Sequence, residues 1–189
     1  MTALAVVARP TKLFSRRSNI PVDSEYLWRI DSGYVRTLTW SDLGKVTALG
    51  LWGPGDVVGR SLSCIAPLSV ECLCQVRATQ LPYRTECTGR ELYDRLHQHE
   101  FMQFMMFDPS TEGRLLKFFY WLAQRYGQLQ NGRAQLPVKL THQDLAEFVG
   151  STRVTVTRLL GQLERKGVIQ WGDRRHMVVL SNVNFLQSS

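Results

Sequence analysis

The sequence predicts an α+β fold: an N-terminal antiparallel β-roll, a connecting helix and a C-terminal winged helix-turn-helix. Three observations predict this fold. Short runs of β-branched and aromatic residues alternate with turn residues from Pro21 to Pro82. Helical periodicity then follows between Arg90 and Tyr126. Two short amphipathic segments separated by a glycine occupy residues 141–167.

The β-roll is predicted from strand patterns that are punctuated by turns. Glycine, proline, serine and aspartate cluster at 31–33, 41–44 and 53–56, where they favour turns. The runs between them are rich in valine, tryptophan, tyrosine and threonine. The predicted strands are 26–30, 34–40, 46–52 and 57–59.

The cysteines all lie in one central stretch: Cys64, Cys72, Cys74 and Cys87. A strand over residues 70–76 would point Cys72 and Cys74 to the same inward face as the flanking valines. Buried thiols pack there as small apolar groups. The spacing matches no established metal-ligand pattern, and a metal site or a regulatory disulfide are the alternatives.

Two helices are predicted after Cys87, over residues 90–107 and 111–126. They are separated at Asp108, because a residue that precedes a proline is disfavoured in a helix. The second helix would bury one apolar face and end at Gly127. A polar loop, 128–135, then leads to a predicted strand over 136–140. The apolar face comprises Leu115, Phe118, Phe119 and Leu122.

Residues 141–167 predict a helix-turn-helix. Leu145, Ala146 and Val149 form the apolar face of a first short helix. Gly150 supplies the turn and Thr152 is an N-cap for the second helix. His142 is read as a polar residue at the start of the first helix. The second helix would bury four residues at helical spacing, Val156, Leu159, Leu160 and Leu163.

The opposite face of the second helix predicts double-stranded DNA as the partner. It carries Arg153, Val154, Thr157 and Arg158 near its N-terminal end, which is the end that such helices insert into the major groove. An ordinary amphipathic surface helix is the alternative. A hairpin over 168–171 and 177–180 would follow as the wing. Its tip carries Arg174 and Arg175, either as phosphate contacts or as solvated turn residues.

The bulk properties agree with a polyanionic partner. The 189 residues carry a formal net charge of +7. From position 133 onward eight basic residues stand against four acidic ones, so +4 of this charge lies there. The sequence predicts a cytoplasmic protein without a membrane span. No P-loop, dinucleotide fingerprint or Ser-His-Asp arrangement points to an enzyme.

On these residues the chain resembles the CRP/FNR family of transcription factors, most strongly over 141–167. Residues 55–59 read Gly-Asp-Val-Val-Gly and match the family's Gly-Asp-x-x-Gly turn. Residues 150–160 look most like the cyanobacterial nitrogen-control branch. The resemblance implies a homodimeric regulator that contacts RNA polymerase. It implies a cyclic-nucleotide-binding-like sensory β-roll (1–88), a connecting dimerisation helix (89–110) and a winged helix-turn-helix (111–189).

Two departures from the family limit what the resemblance implies. Arg60 replaces the family's glutamate after the turn, and the phosphate-gripping Arg-Ser position falls near Cys72 and Leu73. We therefore expect no cyclic-AMP binding. The connecting helix is also shorter than the family's by roughly five or six helical turns. The nitrogen-control branch uses that helix for its 2-oxoglutarate site, so we do not expect this site in the present chain. No cofactor is predicted, and the sequence does not identify an effector.

Dimerisation is predicted to use an apolar cluster, although packing within one protomer is the alternative. The apolar cluster comprises Phe101, Phe104, Met105, Met106 and Phe107.

Two rival functions stay open. They are a winged-helix protein-interaction module and a redox-responsive regulator that uses the Cys64–Cys87 region.

The resemblance also implies which residues read the DNA. Arg153 and Arg158 match the two arginines that would bind guanine. Val154 stands where the cyclic-AMP receptor carries a glutamate, and it would favour a thymine methyl group instead. We therefore expect half-sites closer to GTA…TAC than to GTGA…TCAC. The residues expected to contact phosphate or position the backbone are Gln143, Thr152, Thr155 and Arg165.

Overall fold

The computed structural model describes residues 10–22, 26–82, 89–130, 133–170 and 177–178. The chain divides into two compact units. One unit comprises Met1–Thr39 and Leu51–Leu92, and the other comprises Trp40–Gly50 and Tyr93–Ser189. Strands dominate the first unit, and the helix-turn-helix lies in the second. The predicted α+β class is confirmed.

The N-terminal strands form two four-stranded sheets. One sheet has the order β1-β8-β3-β6 and the other the order β2-β7-β4-β5. Strand β3 lies antiparallel to both β6 and β8, and β7 lies antiparallel to both β2 and β4. The strands are β1 (Thr11–Phe14), β2 (Asn19–Ile20), β3 (Tyr26–Ser32), β4 (Val35–Trp40), β5 (Val46–Trp52), β6 (Val57–Val58), β7 (Ser69–Cys72) and β8 (Val76–Pro82).

Apolar side chains from both sheets form one core. Trp28 and Trp52 are buried in it, and each indole N–H has a hydrogen-bond acceptor. The Trp28 indole donates to the carbonyl of Pro21 at 2.9 Å, and the Trp52 indole donates to Thr37 Oγ1 at 3.2 Å. Burial of these large side chains is stabilising because their polar atoms remain satisfied.

Two features of the roll differ from the sequence prediction. Strands β1 and β2 were not predicted, because β1 is an exposed edge strand without an alternating apolar pattern. The predicted continuous strand over 70–76 is wrong, since the chain bends at Leu73 and Cys74. Leu73 is buried and Cys74 is only half-buried, and the Cys74 Sγ accepts a hydrogen bond from the backbone N–H of Tyr34.

The helices agree closely with their predicted bounds. Ser110 caps α2 by accepting a hydrogen bond from the Gly113 N–H at 2.9 Å, and Gly127 ends that helix. The first helix begins and ends one residue earlier than expected, which leaves Phe107 in the turn before Pro109. The helices are α1 (Gly89–Met106), α2 (Thr111–Tyr126), α3 (His142–Phe148) and α4 (Arg153–Arg165).

A small sheet accompanies the helix-turn-helix. It has the order β11-β10-β9, from β9 (Gln128–Gln130), β10 (Arg133–Gln135) and β11 (Met177–Val178). The predicted loop over 128–135 thus contains two strands, and the predicted strand over 136–140 is wrong. Residues at 136, 138 and 140 are buried in alternation. Their segment belongs to no described strand and bends at Pro137 and Val138, and Pro137 lacks the N–H that a ladder needs.

The wing lies largely beyond the described part of the chain. Val178 of β11 pairs with Ala134 of β10 in an antiparallel ladder. The predicted tip, with Arg174 and Arg175, falls in 171–176, outside the described residues. None of the helices described here combines the length and apolar character needed to cross a membrane.

Candidate nucleic-acid interface

The first helix of the helix-turn-helix, α3, begins with a capping box. Thr141 Oγ1 accepts a hydrogen bond from the Asp144 N–H at 3.1 Å, and the Asp144 carboxylate accepts one from the Thr141 N–H at 2.7 Å. These bonds satisfy backbone donors that a helix start otherwise leaves open. Asp144 and Leu145 are buried, so the start of α3 is fixed.

The turn between α3 and α4 depends on Gly150. Its φ of 62° lies in the left-handed region, which residues with a side chain rarely adopt. The following N–H, of Ser151, donates to the carbonyl of Ala146 at 2.9 Å. The bond closes the end of α3 and directs the chain into α4, and the predicted turn at Gly150 is confirmed.

The second helix, α4, begins at the predicted cap. Thr152 Oγ1 accepts a hydrogen bond from the Thr155 N–H at 3.2 Å. The predicted apolar face is confirmed as buried. Its members are Val156, Leu159, Leu160 and Leu163.

The opposite face of α4 is exposed and positive. Val154 is 79% exposed, and Arg153 and Arg158 are also exposed. Among the described residues no carboxylate pairs with Arg153, and the first turn of α4 contains no acidic residue. The positive pole of the helix adds to these charges. This surface, which we call the α4 tip (Arg153, Val154, Thr157 and Arg158), is suited to a polyanion.

Several polar side chains at this surface already have partners within the protein. The Thr157 hydroxyl donates to the carbonyl of Arg153 at 2.8 Å and lies 2.8 Å from His142 Nδ1. The Thr152 hydroxyl donates to Thr155 Oγ1 at 2.9 Å. Arg158 has an internal partner as well, since its Nη1 donates to Gln162 Oε1 at 3.4 Å.

The structure brings most of the predicted set together on α3 and α4. Gln143 is exposed on α3, where its amide donates to Glu147 Oε1 at 2.7 Å. Sequence reasoning placed His142 at the start of α3 but missed its contact with Thr157, because a pairing between two helices leaves no periodic pattern. It also missed Arg114, whose Nε donates to the carbonyl of Val149 at 2.8 Å.

The surroundings of His142 predict a pH dependence of stability. Burial and the neighbouring Arg153 lower the pKa of His142 from its ordinary value of 6.5. Because the unfolded chain then binds the proton more readily, stability is complete above pH 6.5 and decreases as the pH falls below it. We expect urea titrations between about pH 7.5 and 5.5 to show a steeper loss in the wild type than in His142→Gln.

A matched control for this experiment is His99→Gln, which changes an exposed histidine of α1. We expect it to retain the wild-type pH dependence. Equal slopes for the wild type and His142→Gln would contradict the prediction.

The β-roll departs from a phosphate pocket at both positions noted in the sequence. Arg60 directs its guanidinium to the carbonyl of Ile65 in its own loop. Cys72 and Leu73 are buried and apolar where a phosphate would need a cation. The Asp56 carboxylate is also engaged, since it accepts the Gly53 N–H at 2.7 Å to close the turn.

The cysteines differ in environment. Cys64 is exposed, and Cys72 is fully buried. Burial raises the pKa of the Cys72 thiol to about 11, so little reactive thiolate forms there near neutral pH. Cys87 lies outside the described residues.

The apolar cluster of α1 divides between core and surface. Met105 is buried, and Phe101 stacks on Trp121 with 5.7 Å between ring centroids. Phe104, Met106 and Phe107 remain exposed. The exposed apolar face of α1 continues toward its N-terminus through Tyr93 and Leu96.

Comparison with known proteins gives concordant matches. Residues 113–188 match the Crp-like helix-turn-helix domain. The chain is 36% identical over 180 residues to the regulatory protein CysR of Synechococcus elongatus, which covers 94% of this chain and 87% of that protein. It is 40% identical over 80 residues to the global nitrogen regulator of a Nostoc species, covering 42% of this chain and 36% of that protein.

Solved structures share the fold at lower identity. A CRP-family transcriptional regulator from Thermus thermophilus superposes with a TM-score of 0.74 at 20% identity, covering 90% of this chain and 92% of that one. FixK2 from Bradyrhizobium japonicum also gives 0.74, at 19% identity, covering 93% and 94%. Both superpositions extend over the β-roll and the helix-turn-helix.

Proposed function

Because this chain belongs to the CRP/FNR family of transcriptional regulators, we propose that it binds palindromic DNA as a homodimer through the α4 tip. Residues 1–88 form the sensory β-roll in this proposal, residues 89–110 the dimerisation helix and residues 111–189 the DNA-binding domain. RNA polymerase is the further partner at the promoter.

The observation that carries the proposal is the division of α4 into two faces. Its apolar face is buried while Arg153 and Arg158 are exposed at and near its N-terminal end. A protein-docking surface would need an apolar or acidic tip, whereas this one is positive. Insertion of this end into the major groove brings both guanidinium groups to base edges.

The side chains of the tip favour a particular half-site. Arg153 and Arg158 each present paired donors that fit the O6 and N7 acceptors of guanine. Val154 can accept no hydrogen bond from cytosine, and its exposed side chain favours contact with a thymine methyl group. The half-site in this proposal is therefore of the GTA…TAC type.

The other predicted residues position the protein on the backbone. Gln143, Thr152, Thr155 and Arg165 would contact phosphate or sugar oxygens around the reading helix. The wing residues Arg174 and Arg175 would add flanking phosphate contacts. Such contacts increase affinity for all sequences and its dependence on salt.

Dimerisation is assigned to the exposed face of α1. Tyr93, Leu96 and Phe104 follow one another at intervals of three and eight residues and therefore share one side of α1, and Phe107 lies exposed in the turn just after it. Pairing of this face in two copies would bury apolar surface that is otherwise exposed. Two recognition helices about 34 Å apart could then read a palindrome.

Selection of bound sites from random duplexes tests the proposed function. We expect the purified chain to enrich palindromes with GTA-type half-sites about one helical turn apart. A double variant, Arg153→Ala with Arg158→Ala, is the control and should enrich no sequence. Enrichment of GTGA half-sites would contradict the proposed contact of Val154 with a thymine methyl group. Asymmetric sites would contradict the dimer. If the wild type enriches no sequence, the proposed function is wrong.

The β-roll is expected not to bind cyclic AMP. Buried Cys72 and Leu73 provide no donor for the phosphate, and Arg60 is engaged in its own loop. Calorimetric titration of the full chain should show no heat of binding with cyclic AMP, as with AMP in a parallel titration. A dissociation constant on the order of 1 μM for cyclic AMP would contradict this expectation.

A further inference from the structure

The guanidinium of Arg114 connects two corners of the chain that are distant in sequence. Arg114 lies in the first turns of α2 and is half-buried. Its Nε donates to the carbonyl of Val149 at 2.8 Å, and its Nη1 donates to the carbonyl of Asp108 at 2.7 Å. Its Nη2 donates to Thr111 Oγ1 at 3.1 Å. One planar group thus joins the α1–α2 corner to the turn of the helix-turn-helix.

The two carbonyls that accept these bonds lie where the backbone changes direction. Val149 ends α3, so its carbonyl is one of the acceptors that a helix terminus leaves without a partner in the helix. Gly150 follows in the left-handed conformation, and α4 begins three residues later. A bond at Val149 therefore acts at the point that sets the direction of α4.

The same turn is also contacted by α1. A Cβ added at Gly150 would lie 2.8 Å from the Met106 methyl carbon, so that methyl group packs directly against the turn. The α1–α2 corner is itself well connected, because the Asp108 carboxylate accepts the Ser110 N–H at 2.9 Å and pairs with Lys117 at 3.0 Å. The turn of the helix-turn-helix thus packs against the α1–α2 corner, which its own hydrogen bond and ion pair hold together.

We propose that Arg114 is a positioning residue for DNA recognition, which holds the helix-turn-helix turn against the α1–α2 corner and so sets the direction of α4. This proposal rests on the proposed function. In the present proposal Arg114 does not contact DNA and acts through the Val149 carbonyl. Lysine cannot replace it fully, because one ammonium lacks the planar set of donors that reaches three acceptors.

The proposal predicts that loss of Arg114 weakens binding to the selected palindrome but not binding to a duplex without that site. A recognition helix that is misdirected loses contacts to base edges, while flexible side chains still reach phosphates. We expect Arg114→Met to lower affinity for the selected palindrome by about tenfold or more, the effect of losing a charge-assisted hydrogen bond. Affinity for a duplex without the site, and the salt dependence, should remain at wild-type values.

Fluorescence anisotropy with both duplexes at several salt concentrations tests this, alongside urea unfolding of each variant. Arg114→Lys should fall between the wild type and Arg114→Met, and it keeps the test decisive if the methionine variant does not fold. Lys117→Met is the matched control, because it removes a cation from the same helix and corner but leaves the Val149 bond. It should retain the preference for the palindrome.

Each other outcome overturns the assignment. An unchanged preference in folded Arg114→Lys and Arg114→Met, with only stability reduced, would show a purely structural residue. A salt slope lowered by about one would show a direct phosphate contact. An equal loss in Lys117→Met would assign the effect to the corner's charge. If the wild type binds no duplex, the proposed function fails and the role of Arg114 fails with it. If the wild type binds and only the Arg114 variants behave otherwise than expected, the role of Arg114 fails alone.

Discussion

Arg153→Ala is expected to abolish discrimination at one base pair of each half-site. Arg153 is the first residue of α4, it is exposed, and no carboxylate in the described part of the chain pairs with it. A bidentate contact to guanine contributes roughly 1–3 kcal/mol against a wrong base. The loss therefore corresponds to roughly 5- to 150-fold in specificity for each half-site.

Competition binding with single-base variants of the selected palindrome measures this effect. Arg165→Ala is the matched control, because it removes the same charge from the last turn of the same helix. It should weaken binding to all sequences about equally and leave the order of preference unchanged. If Arg153→Ala discriminates among the duplexes as the wild type does, Arg153 does not read a base.

Phe118→Ala should strongly reduce the stability of the winged-helix region. Phe118 is fully buried in α2, and its ring stacks on Phe148 of α3 with 4.6 Å between centroids. The Trp121 ring also stacks on Phe118, with 6.0 Å between the two ring centroids. Truncation of a buried phenylalanine leaves a cavity and costs about 3–5 kcal/mol in the free energy of unfolding.

Urea unfolding followed by tryptophan fluorescence measures this loss, with Leu129→Ala as the control. Leu129 is 81% exposed on β9, so its truncation should change stability by less than about 0.5 kcal/mol. A cost for Phe118→Ala no larger than that of the control would show that the stacked aromatic contact between α2 and α3 contributes little.

The helix-turn-helix could be predicted from the sequence nearly residue by residue. Its signals are local: Thr152 caps α4, Gly150 adopts the left-handed conformation, and apolar residues repeat at helical spacing. Caps and periodicity act within a few residues of one another, so they are legible in a single sequence. The exposed arginines of the α4 tip followed from the same periodicity.

The strands were predicted less well because their partners are distant. A strand was predicted over 136–140, but none forms there, although the residues at 136, 138 and 140 are buried in alternation. Alternation does not show whether a neighbouring strand exists. The edge strand β1 has no buried alternation, yet it pairs with β8 more than sixty residues away. The bend at Cys74 likewise separates β7 from β8 without a proline or glycine to mark it.

The sequence by itself therefore determined the fold class, the helices and the positive tip of α4, because each follows from interactions between near neighbours. Only the tertiary structure decided which polar groups join these elements. The bond of His142 to Thr157 spans 15 residues, and that of Arg114 to the Val149 carbonyl spans 35. Such bonds depend on where helices pack in space, and packing distances between helices leave no periodic trace in the chain.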